Sequence, residues 1–510
     1  MIIISSLVLI FVKSTINLQV HEENISPTTE HIKLEYPNVV IMMADDLGWA
    51  DISPNNPALK YTPNLATLAS KGIRFTDYHS AASMCTPSRA GLLTGRLGQR
   101  TGVLSNFGVY SEGGLPLTEY TIADHLKHVG YSTAIIGKWH LGHNGEYHPL
   151  SRGFDYYFGL PYSNDMGCVT CSPVYDIKVD PQCGRNKNFN ISVPLFENSK
   201  IVEQPVDLTT LTKRYIKSTK SFISSSLKNK KPFFLYLPMT HVHTPLATDP
   251  KFNNYSKLGH FVDTVIEMDN YVGEVMNYLF KKRIFDNTMV IFTSDNGPCE
   301  LKCKLGGNSF PYSGIWQKTI GGGGSTTKFT TWEGGHRVPF IISWPSKLPA
   351  GITSTDLVSA FDILPSLSII AGFTLFDDRK YDGIPFPFIA PNNATRILFL
   401  PDVGLSELWA LRYGTYKVYY ASNPGADCED NSGKGFLYHN PALVFDVTLN
   451  PQEDKPLSIS ELPQGFFKNI ERYFKEMRDS IFSTFRSSVN WNVGEQFSPC
   501  CNKNKPFCAC

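Results

Sequence analysis

Several short segments of this chain carry residue types that could do chemistry together. Asp45-Asp46 and Asp295-Asn296 offer hard oxygen ligands at two places in the chain. Such a set suits Ca2+ or Mg2+ rather than zinc, because thiolates and imidazoles are missing from it. Adjacent carboxylates also repel each other unless a cation sits between them. Cys85-Thr86-Pro87-Ser88-Arg89 places a sulfur four residues before a guanidinium. Lys138, His140, His243 and Lys328 offer positive charge and transferable protons, and Lys138 and His140 fall on one side of an extended segment. Positioned cations stabilise charge on an anionic group in transfer, and a general acid helps an alcohol oxygen depart. Taken singly, each segment has a plainer reading. Asp-Asp can cap a helix, Asp-Asn-Gly is a common turn, Pro87 suits a first helical turn, and the Gly321–Gly324 run before Lys328 suits a surface loop.

The elements that must position these residues are legible as buried strands. Asn38–Met43, Tyr131–Ile136, Pro232–Leu237 and Met289–Thr293 are short, continuous apolar runs. Just past them come Asp45-Asp46, Lys138 with His140, His241 with His243, and Asp295-Asn296. Ligands of open α/β sheets bind in the crevice beyond the carboxyl ends of the strands, so one parallel sheet would gather these groups on one rim. Helix-length patterns lie between the runs, as at Ile122–His128 and Val262–Phe280. The spacing predicts a loop over Trp344–Gly351 and a helix over Asp356–Ala371. After Gly372 the pattern changes to short alternating runs such as Lys417–Tyr420 and Leu443–Val447, which suit a small antiparallel sheet, and 467–485 has helical spacing. Asp446–Pro456 reads as a structural turn. We therefore expect an α/β fold of two domains, 37–372 and 373–510.

A chain of 510 residues can bury a large core, and a net charge of +1 without a long basic block speaks against nucleic-acid binding. The apolar run Met1–Val12 is too short to span a bilayer and has the length of a secretory signal core, although no basic residue precedes it. We expect a signal peptide over about residues 1–20 and no transmembrane segment elsewhere. Secretory entry makes Asn190, Asn254 and Asn393 candidate glycan sites, with Asn24 close to the cleavage point. There are 11 cysteines, an odd number for an oxidising compartment. In the C-terminal group Cys500, Cys501, Cys508 and Cys510, disulfides are expected over a zinc site.

Cys85 to Arg89, continuing as Ala90-Gly91-Leu92-Leu93-Thr94-Gly95-Arg96, resembles the signature of the sulfatase family. Gly-Lys-Trp-His-Leu-Gly at 137–142 resembles its second motif and His-X-His-X-Pro at 241–245 a third, and Lys328 matches a lysine before the Glu333-Gly334-Gly335 loop. Gly114–Leu117, Gly159–Asp165 and the cysteine-rich tail are most similar to the arylsulfatase A branch. The fold implied is a large mixed, mostly parallel sheet sandwiched by helices, of alkaline-phosphatase type, with a smaller α+β C-terminal domain. The resemblance further implies that a formylglycine-generating enzyme converts Cys85 to Cα-formylglycine (3-oxoalanine) during secretion. Ten cysteines then remain, which can pair fully. One divalent ion, usually Ca2+ with Mg2+ as the alternative, would be held by Asp45, Asp46, Asp295, Asn296 and residue 85. Arg89 would hold the formylglycine, and Lys138, Ser163, His243 and Lys328 would contact the sulfate and its leaving side. The hydrated aldehyde would attack sulfur with Asp295 as base, and His140 would take the proton of the remaining hydroxyl as sulfate is expelled. A sulfate ester is the implied substrate, whether sulfated galactolipid, glycosaminoglycan end or aryl sulfate. A lysosomal or extracellular homodimer is the implied setting. One departure bears on substrate choice: arylsulfatase A carries a His near the position of Ala421–Cys428, whereas this chain has no His between His336 and His439. The competing readings are a phosphate or phosphonate ester hydrolase of the same superfamily, and a non-catalytic binding protein on a sulfatase scaffold.

Overall fold

The computed structural model describes residues 36–170, 191–392, 394–402, 404, 407–429 and 435–510. Its larger sheet is built from β1 (Asn38–Ala44), β2 (Ile73–His79), β3 (Ser132–Ile136), β4 (Tyr156–Gly159), β5 (Leu195–Glu197), β6 (Lys200–Glu203), β7 (Phe233–Pro238), β8 (Thr288–Ser294), β9 (Phe340–Ser343) and β10 (Ile352–Ser359). They lie in the order β10-β2-β9-β8-β1-β7-β3-β4-β5-β6. The four apolar runs are neighbours at its centre, and β8, β1, β7, β3 and β4 run parallel. β9 and β5 pair antiparallel with both their neighbours, so the sheet is mixed.

β1, β7 and β8 are buried at every residue because helices cover both faces. Val39, Ile41 and Met43 pack in one layer with residues of the helices Cys85–Thr94, Ile122–His128 and Ile363–Ala371. Val40, Met42 and Ala44 pack in the other with the helices Leu211–Lys228 and His260–Lys281. This two-sided burial is why the strands read as unbroken apolar runs rather than as alternation.

A second sheet is an antiparallel meander of β11 (Ile397–Leu400), β12 (Ala410–Tyr413), β13 (Tyr416–Ser422) and β14 (Leu437–Asp446). The helix Phe466–Ser483 covers one face, with Phe474 edge-on to Phe399 and Tyr420. On the other face, Trp332 of the main body packs against Tyr419 and Phe445. Apolar residues of both sheets belong to one continuous core.

Two expectations need correction. The segment 356–371 is not one helix: Ile352–Ser359 is strand β10, parallel to β2, and the helix begins at Ile363. Ile352, Thr353, Thr355 and Val358 are β-branched. Ser359 and Asp362 form a capping box, and Pro365 falls in the first helical turn. Nor do ten cysteines pair fully, since Cys299 keeps a buried free thiol whose pKa burial pushes up to about 11. It lies near Lys328 and Asp46, while Cys303 takes Cys428 as partner. Cys500–Cys508 and Cys501–Cys510 are disulfides, as expected of the tail. Asn254 is exposed on a loop. Residues 1–20, Asn24, Cys171, Cys183, Asn190 and Asn393 lie outside the described residues. No helix among the described residues is long and apolar enough to cross a membrane.

Candidate active site

The carboxyl ends of β1, β8, β3 and β7 deliver their polar residues to one buried cluster. Asp45 follows β1 directly, and Asp295 follows β8. Lys138 follows β3 after Gly137, whose φ of 140° few side-chain-bearing residues adopt. A Cβ at Gly137 would lie 1.9 Å from the Pro238 carbonyl oxygen, and that oxygen accepts the Lys138 amide at 2.8 Å. Gly297 plays a similar part after Asn296, since its absent side chain admits the Gly334 carbonyl. Asp46 and His140 both hold left-handed backbone, a conformation that costs about 1–3 kcal/mol and concentrates at functional sites.

Cys85 is the first residue of a fully buried helix, Cys85–Thr94. Its Sγ lies 3.6 Å from Asp45 Oδ1 and 3.7 Å from Lys138 Nζ. Burial pushes the Cys85 thiol far up, and the Lys138 and Lys328 ammonium groups do not offset it. An unmodified Cys85 would thus be a protonated thiol rather than a thiolate nucleophile. Arg89, one turn on, donates from Nε and Nη2 to Asp295 Oδ2 at 3.0 and 2.7 Å, and from Nη1 to the Lys138 carbonyl at 2.8 Å. Its Nη2 is also 3.2 Å from Asp45 Oδ2.

Lys138 Nζ donates to Asp45 Oδ2 at 2.6 Å and to Ser163 Oγ at 3.3 Å. Lys328 Nζ sits 2.7 Å from Asp46 Oδ1 and 2.8 Å from Oδ2. Burial alone would raise the Asp45 carboxyl, but Lys138 and Arg89 outweigh it and hold the group well below the usual range. Asp295 is raised by burial and by the neighbouring Asp45 charge, despite Arg89. Burial and the charge of Lys138 keep His140 well below its ordinary pKa, so its ring is neutral. His140 Nε2 lies 3.1 Å from the Phe107 carbonyl, which fixes the proton there and leaves Nδ1 as an acceptor. Nδ1 is buried without a partner.

The two histidines of the third motif part company. His243 Nε2 faces Asp46 Oδ2 at 3.6 Å, and its Nδ1 is 2.6 Å from the Thr244 carbonyl. His241 turns away to Thr212 Oγ1 at 3.1 Å and Glu267 at 3.6 Å. Asp45, Asp46, Cys85 and His243 come close enough together to hold a metal ion. Asn296 Nδ2 donates to Asp46 Oδ1 at 2.8 Å while its Oδ1 is buried without a partner. Rotating that amide by half a turn would present oxygen to the same place. Three carboxylates and one amide oxygen that is otherwise without a partner fit a hard cation.

All the residues expected at the site meet here, along with others that spacing did not single out. Asp165 lies beside Ser163 and His243, and against the cost of burial His243 and Ser163 hold its carboxyl below the usual range. Its place two residues after Ser163 was the available signal. Phe107, acting through its carbonyl, carried none.

A model of the sulfatase family matches residues 37–373, and one described as the C-terminal region of aryl-sulfatase matches 395–510. Arylsulfatase G of Rattus norvegicus is 41% identical over 495 residues, covering 93% of each chain. Arylsulfatase A of Homo sapiens is 35% identical over 437 residues, covering 82% of each. The likeness to arylsulfatase A therefore holds, and arylsulfatase G shares more of the sequence. Among solved structures, the PsFucS1 sulfatase from Pseudoalteromonas sp. superposes with a TM-score of 0.78 at 25% identity, over 89% of this chain and 92% of that one. By these matches the chain belongs to the sulfatase family, enzymes that hydrolyse sulfuric esters.

Proposed function

We propose that this enzyme cleaves sulfate esters with a formylglycine at residue 85 and one divalent ion, Ca2+ or Mg2+, held by Asp45, Asp46, Asp295 and Asn296. The observation that carries the reading is the pair of unpartnered buried atoms, His140 Nδ1 and Asn296 Oδ1, at a cluster where Cys85 as a thiol would be protonated and inert. When present, the hydrated aldehyde supplies a nucleophilic oxygen with a second hydroxyl, and the ion supplies Lewis acidity.

The chain's own residues do the rest. Arg89 fixes Asp295 and the Lys138 carbonyl, so residue 85 and the carboxylates keep one geometry. Lys138, Lys328 and Ser163 hold sulfate oxygens and neutralise their charge. Asp295, raised by its surroundings, accepts a proton from the attacking side. His243 Nε2 gives one to the departing alcohol or phenol, while Nδ1 stays anchored on Thr244. His140 Nδ1 removes the proton that must leave as sulfate is released. Neither Ser nor Cys at residue 85 could complete that release, because neither has a geminal hydroxyl. The N-terminal apolar run and the disulfides support a secretory, lysosomal or extracellular enzyme.

The names of the arylsulfatase relatives make an aryl sulfate the first test substrate. Release of inorganic sulfate from it, with little turnover of the matching aryl phosphate or phosphonate, is the expected result. Preference for the phosphorus esters would overturn the reading.

A further inference from the structure

Lys328 lies on a loop whose two flanks are both fastened to the C-terminal sheet. On one side, Ser325 forms a β-bridge with Gly425 just beyond β13, its amide donating to the Gly425 carbonyl at 2.8 Å. On the other, Glu333 is fully buried among cationic groups. Lys417 Nζ of β13 is 2.7 Å from its carboxylate, Arg412 Nη1 of β12 is 3.3 Å away, and Arg337 and His79 reach it at 3.0 and 3.1 Å. The Glu333 amide donates to Glu453 Oε2 at 3.1 Å.

Asp77, His79 and Glu333 could by type hold a metal ion. Here the cations are already supplied by Lys417, Arg412 and Arg337, so the cluster needs none. Burial opposes the Glu333 charge, and Lys417 is the foremost group that overcomes it, keeping the carboxyl well below the usual range. Between the two fastenings, the loop touches the segment after β8 and the approach to the Cys85–Thr94 helix. The Lys328 amide donates to Pro298 at 3.0 Å, and the Phe329 amide to Ser83 at 2.8 Å, two residues before Cys85. Phe329 itself has left-handed backbone, which the chain keeps only if its surroundings enforce it.

We infer that the C-terminal sheet is a working part of the active site, with Lys417 and Arg412 as positioning residues that set Lys328 through Glu333. The inference rests on the proposed role of Lys328 toward sulfate. Losing Lys417 would leave Glu333 with fewer cations, and the loop would relax away from Pro298 and Ser83. Lys328 would then reach the transferring group less well, which affects the transition state more than substrate binding.

The experiment is a mutant cycle of Lys417→Met and Lys328→Gln in the full chain, read by aryl sulfate turnover, with melting curves and the residue-85 mass checked in each variant. We expect Lys417→Met to lower kcat about tenfold or more with little change in KM, and to add nothing once Lys328 is already Gln. An equal loss in both backgrounds, or an unchanged kcat, overturns the inference. Should Lys417→Met not fold, Lys417→Arg enters the same cycle: it keeps the charge but not the shape of the contact, and the same non-additivity is required of it. If Lys328→Gln alone leaves activity intact, the sulfate role of Lys328 fails, and the inference falls with it.

Discussion

Replacing Lys138 with Met tests the charge arithmetic of the site. Asp45, Asp46 and Asp295 face Lys138, Lys328 and Arg89, so three negative charges meet three positive ones. Lys138→Met removes the ammonium 2.6 Å from Asp45 and keeps most of the side chain's apolar stem. Stripping one partner from a buried ion pair costs 3–5 kcal/mol in general, and Asp45 retains Arg89 at 3.2 Å, so about 3 kcal/mol of folding stability should go. Loss of one positioned donor to a developing anion should lower kcat by about 10²–10³. The variant carries one net negative charge more at the ion site, so added Ca2+ should raise its melting temperature more than that of the parent. Aryl sulfate hydrolysis and melting curves with and without Ca2+ read all three effects. A kcat/KM within about threefold of the parent, or an equal Ca2+ response, would refute the reasoning.

Further outcomes follow from the same geometry. Cys85→Ser should fold, transfer about one sulfate per chain and stall, since it lacks the second hydroxyl; rapid-quench kinetics would show a burst without turnover, and sustained turnover would contradict the mechanism. Chelation should abolish turnover and lower the melting temperature, and Ca2+ at about a hundred times its Kd should restore about 2.7 kcal/mol. Glu453 is pushed up to about 7 by burial. A raised carboxyl pKa gives stability that is present below pH 4.5 and lost as pH rises through about 7. Neutral Glu453→Gln should therefore gain on the parent by about 1–3 kcal/mol between pH 5 and pH 8; a constant gap in denaturant titrations would be the contrary result. Asn254→Gln should remove one glycosidase-sensitive mass step from protein made in a eukaryotic secretory host, and an unchanged mass would show that the sequon is unused.

The central strands and the polar residues at their ends were legible because burial on both faces leaves a signature that ends where polar residues begin. Asp45, Lys138 and Asp295 needed no long-range knowledge beyond one parallel sheet. The division of labour between His241 and His243 was not available from spacing, because the turn after β7 sends them in opposite directions. The fastening of the Lys328 loop through Glu333 was invisible for a different reason. Arg412, Lys417 and Glu453 are 79, 84 and 120 residues from Glu333. Each reads singly as an ordinary surface charge; the packing of β12 and β13 on the main body brings Arg412 and Lys417 inside, and Glu453 is buried in the segment after β14. Over 356–371, strand propensity and a capping box divided what looked like one helix, and local pattern yielded to pairing with β2.

The most direct test of the account is the mass of the tryptic peptide Phe75–Arg89 from protein made in a eukaryotic secretory host. A peptide about 18 Da lighter than the cysteine form, the change from thiol to aldehyde, is the outcome the account requires. An intact Cys85 in a preparation that hydrolyses aryl sulfate, from a host that modifies a control sulfatase, would contradict it.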